Sequence, residues 1–264
     1  MQVLKRNGTY EAIDFNKVLN RIQRAAKFLT LEHITVDELA QKVIAGIYDG
    51  MSSRDIDELT ASLAAEYMLY HPSYNTLAAR ILISRHQKEV DHDLERMVAE
   101  GLITQKLADD WEALGGYCFI QEKRDFLFDY FGFCTLRGTQ DKPSYLLKYQ
   151  DGTYAETPQH MYLRVALALF GQNEAKVDES YFYQSNHYFT MASPTLFNAG
   201  TPCGQLASCF LQAIESDSLD GIFKGVGDVA RISKSGGGIG FHVSNIRSKG
   251  SLIKGTGGTS DGLV

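Results

Sequence analysis

The stretch RISKSGGGIGFHVSNIRSKGSLIKGTGG, residues 231–258, sets eight glycines and five Lys or Arg together without one carboxylate. Glycine leaves backbone N–H groups bare enough to close on an anion, and Lys234, Arg247 and Lys254 add positive charge, so phosphate binding is the chemistry this composition suits. A pair of tight turns with a solvated basic face fits the same spacing. Named phosphate motifs do not decide between the two. No Gly-Lys-Ser or Gly-Lys-Thr is present for a Walker loop, and no V-A-I-K context follows for a kinase-type glycine loop. Gly225-Val226-Gly227-Asp228-Val229-Ala230 matches G-x-G-x-x-A, but it follows the polar run SDSLDGIFK and lacks an acidic residue about twenty positions on. The other reactive residues are Cys118, Cys134, Cys203 and Cys209. Without a C-x-x-C pair or paired histidines nearby they indicate neither a zinc site nor a disulfide framework, and free, buried thiols are the simplest expectation.

At 264 residues and 44% apolar content the chain can bury a real core and divide into two units. A net charge of −6 and a pI near 5.7 speak against general binding to nucleic acid or a membrane surface, so any phosphate site has to be local. No apolar run is long enough for a signal peptide or a membrane span, and a cytoplasmic protein is expected.

The elements that must carry these residues can be read from periodicity. QVLKRNGTYEAI places two short β-type runs around Asn7-Gly8, a pair suited to a tight turn. Asp14 offers an N-cap for a helix over FNKVLNRIQRAAKFL, where Val18, Leu19, Ile22, Ala25, Ala26 and Leu29 recur at helical spacing. Three further helices are predicted over VDELAQKVIAGIY, DIDELTASLAAEYML and, after Pro72, YNTLAARILISRHQKEV. A small sheet over a four-helix bundle is the natural arrangement for this first part. Beyond it, SYLLKYQDGTYAE predicts a hairpin at Asp151-Gly152, TPQHMYLRVALALF a helix capped by Thr157 with Pro158 first, and DESYFYQSNHYFTMA another helix.

Longer words surround the glycine-rich stretch. ASPTLFNAGTP (192–202), QLASCFL (205–211), DSLDGIF (217–223), ISKSGGGIG (232–240) and IRSKGSLIKGTGG (246–258) resemble, in this order and spacing, the large catalytic subunit of class I ribonucleotide reductases. VLKRNG followed by four helices resembles the ATP-cone regulatory module of the same family. The resemblance covers essentially the whole chain. It implies an ATP cone over 1–92 and, over 93–264, a helical region leading into the first part of a ten-stranded α/β barrel, an α+β and α/β fold overall.

Residue roles follow from the resemblance alone. Cys209 is placed as half of the dithiol that reduces substrate; Ser193, Ser208 and Gly238 line the substrate pocket. Asp217 and Ser218 meet the sugar and base of a deoxynucleotide effector, with Lys234, Arg247, Lys254 and Gly255 toward its phosphates. In the cone, Lys5, Arg6, Glu11, Asn16, Lys17, Ser53 and Asp57 contact ATP or dATP; charge scattered over the surface of a small domain is the plainer account of the same residues. Cys118 and Cys134 are expected to be structural, and Cys203, six residues before Cys209, has no assigned chemistry.

The radical-bearing cysteine in its Asn-x-Cys-x-Glu context, the partner of Cys209, the phosphate-binding Ser/Thr turn and the C-terminal dithiol of the family do not occur in these residues. These residues are then either a naturally divided subunit or an N-terminal fragment of the large subunit, inactive alone in both cases. The expected partners are a polypeptide completing the large subunit, a small subunit that holds the radical cofactor, further copies of the large subunit, and a thioredoxin- or glutaredoxin-type reductant. No metal is expected in this chain. Two other readings share some of the signals: a non-catalytic ATP/dATP-binding regulator, disfavoured by the lack of a zinc ribbon before the cone, and a fragment of an adenosylcobalamin-dependent class II reductase.

Overall fold

Asn7-Gly8 reverses the chain, with Gly8 at a φ of 80° and Asn7 Oδ1 accepting from the Thr9 backbone and hydroxyl. Strands β1 (Gln2–Leu4) and β2 (Tyr10–Ala12) pair antiparallel across this turn. The computed structural model describes residues 1–32, 34–138 and 143–263, and the chain divides into two compact units, Met1–Thr190 and Met191–Val264.

In the first unit the first three helices start where a side chain can accept an orphan N–H. Asp14 caps α1 (Phe15–Ala25), Thr35 and Glu38 form a reciprocal capping box on α2 (Val36–Ala45), and Ser52 caps α3 (Ser53–Glu66). Pro72 precedes α4 (Ser73–His86). The predicted apolar stripes meet in one core, with Ile22, Leu39, Val43, Leu77 and Ile81 fully or almost fully buried. α4 departs from a simple amphipathic helix, because Tyr74, Leu77, Ala78, Ile81, Leu82 and Ile83 are all buried together. The cause is a second layer. Phe133, on α7 (Tyr130–Arg137), belongs to the same buried cluster, so α7 covers surface that the first four helices leave open.

Between them lie α5 (Leu94–Ala99), α6 (Gln105–Ala113) and two 3-10 turns at Gly116–Cys118 and Glu122–Leu127. The expected hairpin is present, with Gly152 at a φ of 85° and Lys148 bridged to Tyr154. Thr157 and Pro158 start α8 (Pro158–Phe170) as predicted. α9 differs. The sequence predicts a helix over 178–192, whereas α9 spans Glu174–Ser185; Asn173 caps it earlier by accepting from the Lys176 N–H, and His187 at a φ of 61° takes the chain out of the helix.

Inside this unit Glu156 and Arg164 form a fully buried ion pair, and Glu156 Oε2 also accepts from the Leu147 N–H at 3.1 Å. Two imidazoles secure the adjoining backbone, His86 Nε2 donating to the Glu156 carbonyl at 2.9 Å and His92 Nδ1 to that of Ala155 at 2.8 Å. His160 stacks on His92 with centroids 4.0 Å apart.

The second unit begins with α10 (Ser193–Asn198) and continues as strand, helix, strand: β3 (Cys209–Ala213), α11 (Leu219–Lys234) and β4 (Gly238–His242). β3 and β4 pair in parallel, Cys209 opposite Gly238 through Ala213 opposite His242. A parallel pair needs a crossover of this length, and α11 supplies it. Ile214 is buried, but Leu211 on β3 is 94% and Phe223 on α11 68% exposed, so both strand and helix carry exposed apolar side chains.

Burial pushes His86 down to about 3, and lowers His92 and, still further, His160. Imidazoles whose folded pKa is depressed stabilise fully above their unfolded value and lose that contribution as pH falls below it. From pH 7 to 5, His86 alone should cost about 2 kcal/mol of unfolding free energy. Asp125, pushed up to about 6 by its burial, works the other way, gaining about 1 kcal/mol by pH 5. Denaturant titrations at the two pH values should show a net loss, and His86→Gln, which keeps a donor, should reduce it. An equal loss in that variant would remove His86 from this account.

Candidate functional site

Hairpin, α1 and α3 enclose a cavity of about 440 Å³, within the range of small-molecule sites. Six of the seven residues expected there line it: Lys5, Arg6, Glu11, Lys17, Ser53 and Asp57. Asn16 does not; it stands exposed on the first turn of α1, its backbone N–H donating to Asp14 Oδ1. Local structure explains the gathering. The β1–β2 turn presents Lys5 and Arg6, α1 presents Lys17 in its first turn, and Ser53 opens α3 with its free N–H groups nearby. Val3, Ile13, Val18 and Ile56 supply an apolar wall.

Charge in the cavity is mostly positive and partly self-compensated. Asp57, only 8% exposed, accepts from Arg21 Nε at 3.0 Å and from Arg6 at 3.4 Å. Glu11 pairs with Lys5 at 3.3 Å and also with Lys17. Arg21 and Lys88 line the same cavity and were not singled out from the sequence. Arg21 could have been found, since it follows Lys17 by one helical turn. Lys88 could not, because it reaches the cavity only through the packing of α4. Burial, then Arg21 and Arg6, hold Lys88 below its ordinary value, the mark of a site with cations to spare.

In the second unit the thiol site assembles at one end of the parallel pair. Cys209 opens β3 and is exposed; Gly238 lies opposite and donates its N–H to the Ser208 carbonyl at 2.7 Å. A Cβ at Gly238 would stand 3.9 Å from the Cys209 sulfur, so the thiol faces bare backbone. Ser193 is the first residue of α10, and α10 is fastened to the segment before Ser208 by Thr195 Oγ1 donating to the Leu206 carbonyl and Asn198 Nδ2 to that of Gln205. Cys118, Cys203 and Cys209 are exposed and Cys134 half-buried, which overturns the expectation of buried thiols: Cys118 ends a 3-10 turn whose Gly116 packs on Trp111, and Cys203 lies in a turn outside β3.

The predicted effector residues divide between the two ends of α11. Ser218 caps its start, accepting from the Gly221 N–H, and Asp217 beside it accepts from Arg247 Nε at 2.6 Å. Arg247 also donates to the Leu252 carbonyl at 3.2 Å, holding the base of the 253–258 turn that carries Lys254 and Gly255. Lys234 is the last residue of this sixteen-residue helix, about 24 Å away along its axis. There, with Arg231, it complements the negative end of the helix.

The glycines resolve into separate demands. Gly236, at a φ of 82°, donates to the Ser233 carbonyl and Gly237 to that of Ile232, so the pair closes α11 in a Schellman turn. Gly237 must also be small, since a Cβ there would meet Ile232 and Phe210 at 2.7 Å. The G-x-G-x-x-A match at 225–230 is helical interior, where Gly225 lets α11 approach Phe241 and Ile214. It is no dinucleotide turn.

Residues 1–89 match the ATP cone domain, 126–204 the ribonucleotide reductase all-alpha domain and 207–264 the ribonucleotide reductase barrel domain. The ribonucleoside-diphosphate reductase large subunit of Arabidopsis thaliana is 42% identical over all of this chain and 34% of its own length. Large chain 2 of Saccharomyces cerevisiae is 39% identical over all of this chain and 31% of its own. The large subunit of Trypanosoma brucei brucei is 40% identical over 99% of this chain and 33% of its own. The chain spans about a third of the length of these curated relatives.

Alanine at each member of the triple glycine should separate their roles. Gly237→Ala should destabilise the second unit by about 1–3 kcal/mol through overpacking, and Gly236→Ala by about 1–2 kcal/mol through its left-handed backbone. Gly238→Ala should fold normally, because its Cβ would meet only ordinary contacts. Hydrogen exchange over β3 and β4 reads the order; equal loss at Gly237 and Gly238 would contradict it.

Proposed function

The chain belongs to the ribonucleotide reductase large-subunit family by the domains it carries, and from that premise we propose that it senses nucleotides and bears one reducing thiol for a ribonucleoside-diphosphate reductase. The observation that carries the cone's part is the convergence of Lys5, Arg6, Lys17, Ser53, Arg21 and Lys88 on one cavity with an apolar wall. Such a site offers charge to a polyphosphate and a dry face to an adenine ring. ATP and dATP are the ligands proposed for it.

The position of Cys209 supports its part in catalysis. A reducing thiol has to reach the sugar, and this one is exposed opposite a residue without a side chain, beside Ser208 and the α10 segment that carries Ser193. In the proposed reaction two thiols become a disulfide and pass two electrons to the ribose, whose 2′-hydroxyl leaves as water while C2′ gains hydrogen. Cys209 supplies one thiol; the second, together with the radical-bearing cysteine, belongs to the part of the large subunit outside these residues. A class I enzyme would draw its radical from a small subunit and its electrons from a thioredoxin- or glutaredoxin-type reductant. The segment joining Asp217, Ser218, Arg247 and the Lys254–Gly255 turn is the proposed specificity-effector site, the Asp217–Arg247 contact being what gathers it.

Calorimetry on the full chain should find ATP and dATP competing for one cone site. Lys5→Gln with Lys17→Gln should weaken both by about tenfold or more, since two charge-assisted contacts are lost. Undiminished binding in that double variant would count against the cavity. For the thiol, Cys209→Ser in a large subunit that includes the remaining residues, assembled with the small subunit, should abolish multiple turnover, with Cys203→Ser as control. Serine nearly preserves volume, so a structural thiol predicts normal turnover.

A further inference from the structure

Behind the cone cavity runs a chain of ion pairs in which guanidinium outnumbers carboxylate. Arg6, Arg21, Arg54, Arg85 and Arg137 are joined through Asp57, Glu58 and Glu89. Glu89, whose side chain is 10% exposed, faces three of them: Arg85 at 3.1 Å, Arg54 at 3.3 Å and Arg6 at 3.9 Å. Burial alone would pull Arg85 down, yet Glu89 and Glu58 carry it above its ordinary value, so its charge is firmly held.

The five guanidiniums are not equally fixed. Arg21 is anchored by Asp57, the Ile81 carbonyl at 3.2 Å and Ser84 Oγ at 2.7 Å. Arg85 sits between Glu89 and Glu58, and Arg137 donates to Glu58 at 3.3 Å. Arg6 alone among the cavity-lining arginines has only long contacts among the described residues, 3.4 Å to Asp57 and 3.9 Å to Glu89. Both are beyond the distance of a strong charge-assisted bond. Both carboxylates also keep another partner if Arg6 leaves: Asp57 keeps Arg21, and Glu89 keeps Arg85 and Arg54. Withdrawing Arg6 therefore leaves no unpaired buried charge, the usual penalty for breaking such a network. Arg6 is the spare cation of the set.

We propose that Glu89 is a positioning residue of the cone cavity: from behind it competes for Arg6, which lines the cavity, and an entering polyphosphate takes Arg6 over while Arg54 and Arg85 keep Glu89 paired. The proposal rests on the reading of the cavity as a nucleotide site. It makes Glu89 a brake on affinity without any contact to the ligand. Removing its charge should therefore strengthen binding, where a purely structural role predicts weaker or unchanged binding.

The test is calorimetry on the full chain with ATP and, separately, inorganic tripolyphosphate. Glu89→Gln should bind both about three- to tenfold more tightly at low salt, the gain shrinking as salt rises because it is electrostatic. In an Arg6→Gln background the same Glu89→Gln change should give no gain. If circular dichroism shows that Glu89→Gln does not fold, Glu89→Asp, which draws the charge back by one methylene, should move affinity in the same direction by less. Affinity at or below that of the unsubstituted chain, or a gain that survives in the Arg6→Gln background, overturns the proposal. If the unsubstituted chain binds neither ATP nor tripolyphosphate, the cone reading fails and Glu89's role with it; if it binds but the variants do not follow this pattern, only the role of Glu89 fails.

Discussion

With Leu77, Ile81, Leu82 and Ile83 all excluded from water, α4 needs cover from both the helices before it and the helices after it, and its charged last turn must find partners inside the protein. Most of the first unit follows from that burial. α1, α3 and α7 pack on it; Arg85 is neutralised by Glu58 and Glu89; His86 stays uncharged and donates to Glu156. A helix that reads as half-polar in sequence is therefore interior, and the polar residues on it become the joints between the cone and the helices that follow.

The cone cavity inherits its character from the same joints. Arg21, which lines it, is tied to α4 through the Ile81 carbonyl and Ser84, so the cavity floor and the core share one fastening. The surplus of cations is tolerable because Asp57, Glu58 and Glu89 distribute it over several contacts in a partly hydrated region, where effective dielectric is high enough to moderate repulsion. An anion entering the cavity meets charge that the fold has already gathered and desolvated in part.

The second unit works by closeness. Gly225 and Gly237 bring α11 against β3 and β4, and Gly238 keeps the strip opposite Cys209 bare. The glycine-rich stretch thus serves turn and packing in its first half, and in its second half forms a turn whose base Arg247 fastens to Asp217. Lys234 fits the helix terminus it occupies without any ligand.

The sequence by itself determined the hairpin at Asn7-Gly8, the four cone helices with the Asp14 cap of the first, the start of α8 and the family resemblance, because each rests on contacts within a few residues or on long words in fixed order. It also placed six cone residues that do share a cavity, since the hairpin and the first turns of two helices present them. Only tertiary structure decided the rest. Lys88 joins the cavity, and Glu89 stands behind it, because α4 is buried where it is. Asn16 stays outside, for a one-residue step on a helix turns a side chain by about 100°. α9 ends at Ser185 because His187 takes a left-handed conformation that no apolar spacing announces. Lys234 and Arg247, close in composition and thirteen residues apart, sit at opposite ends of α11 because a helix is rigid and its length separates what the sequence lists together.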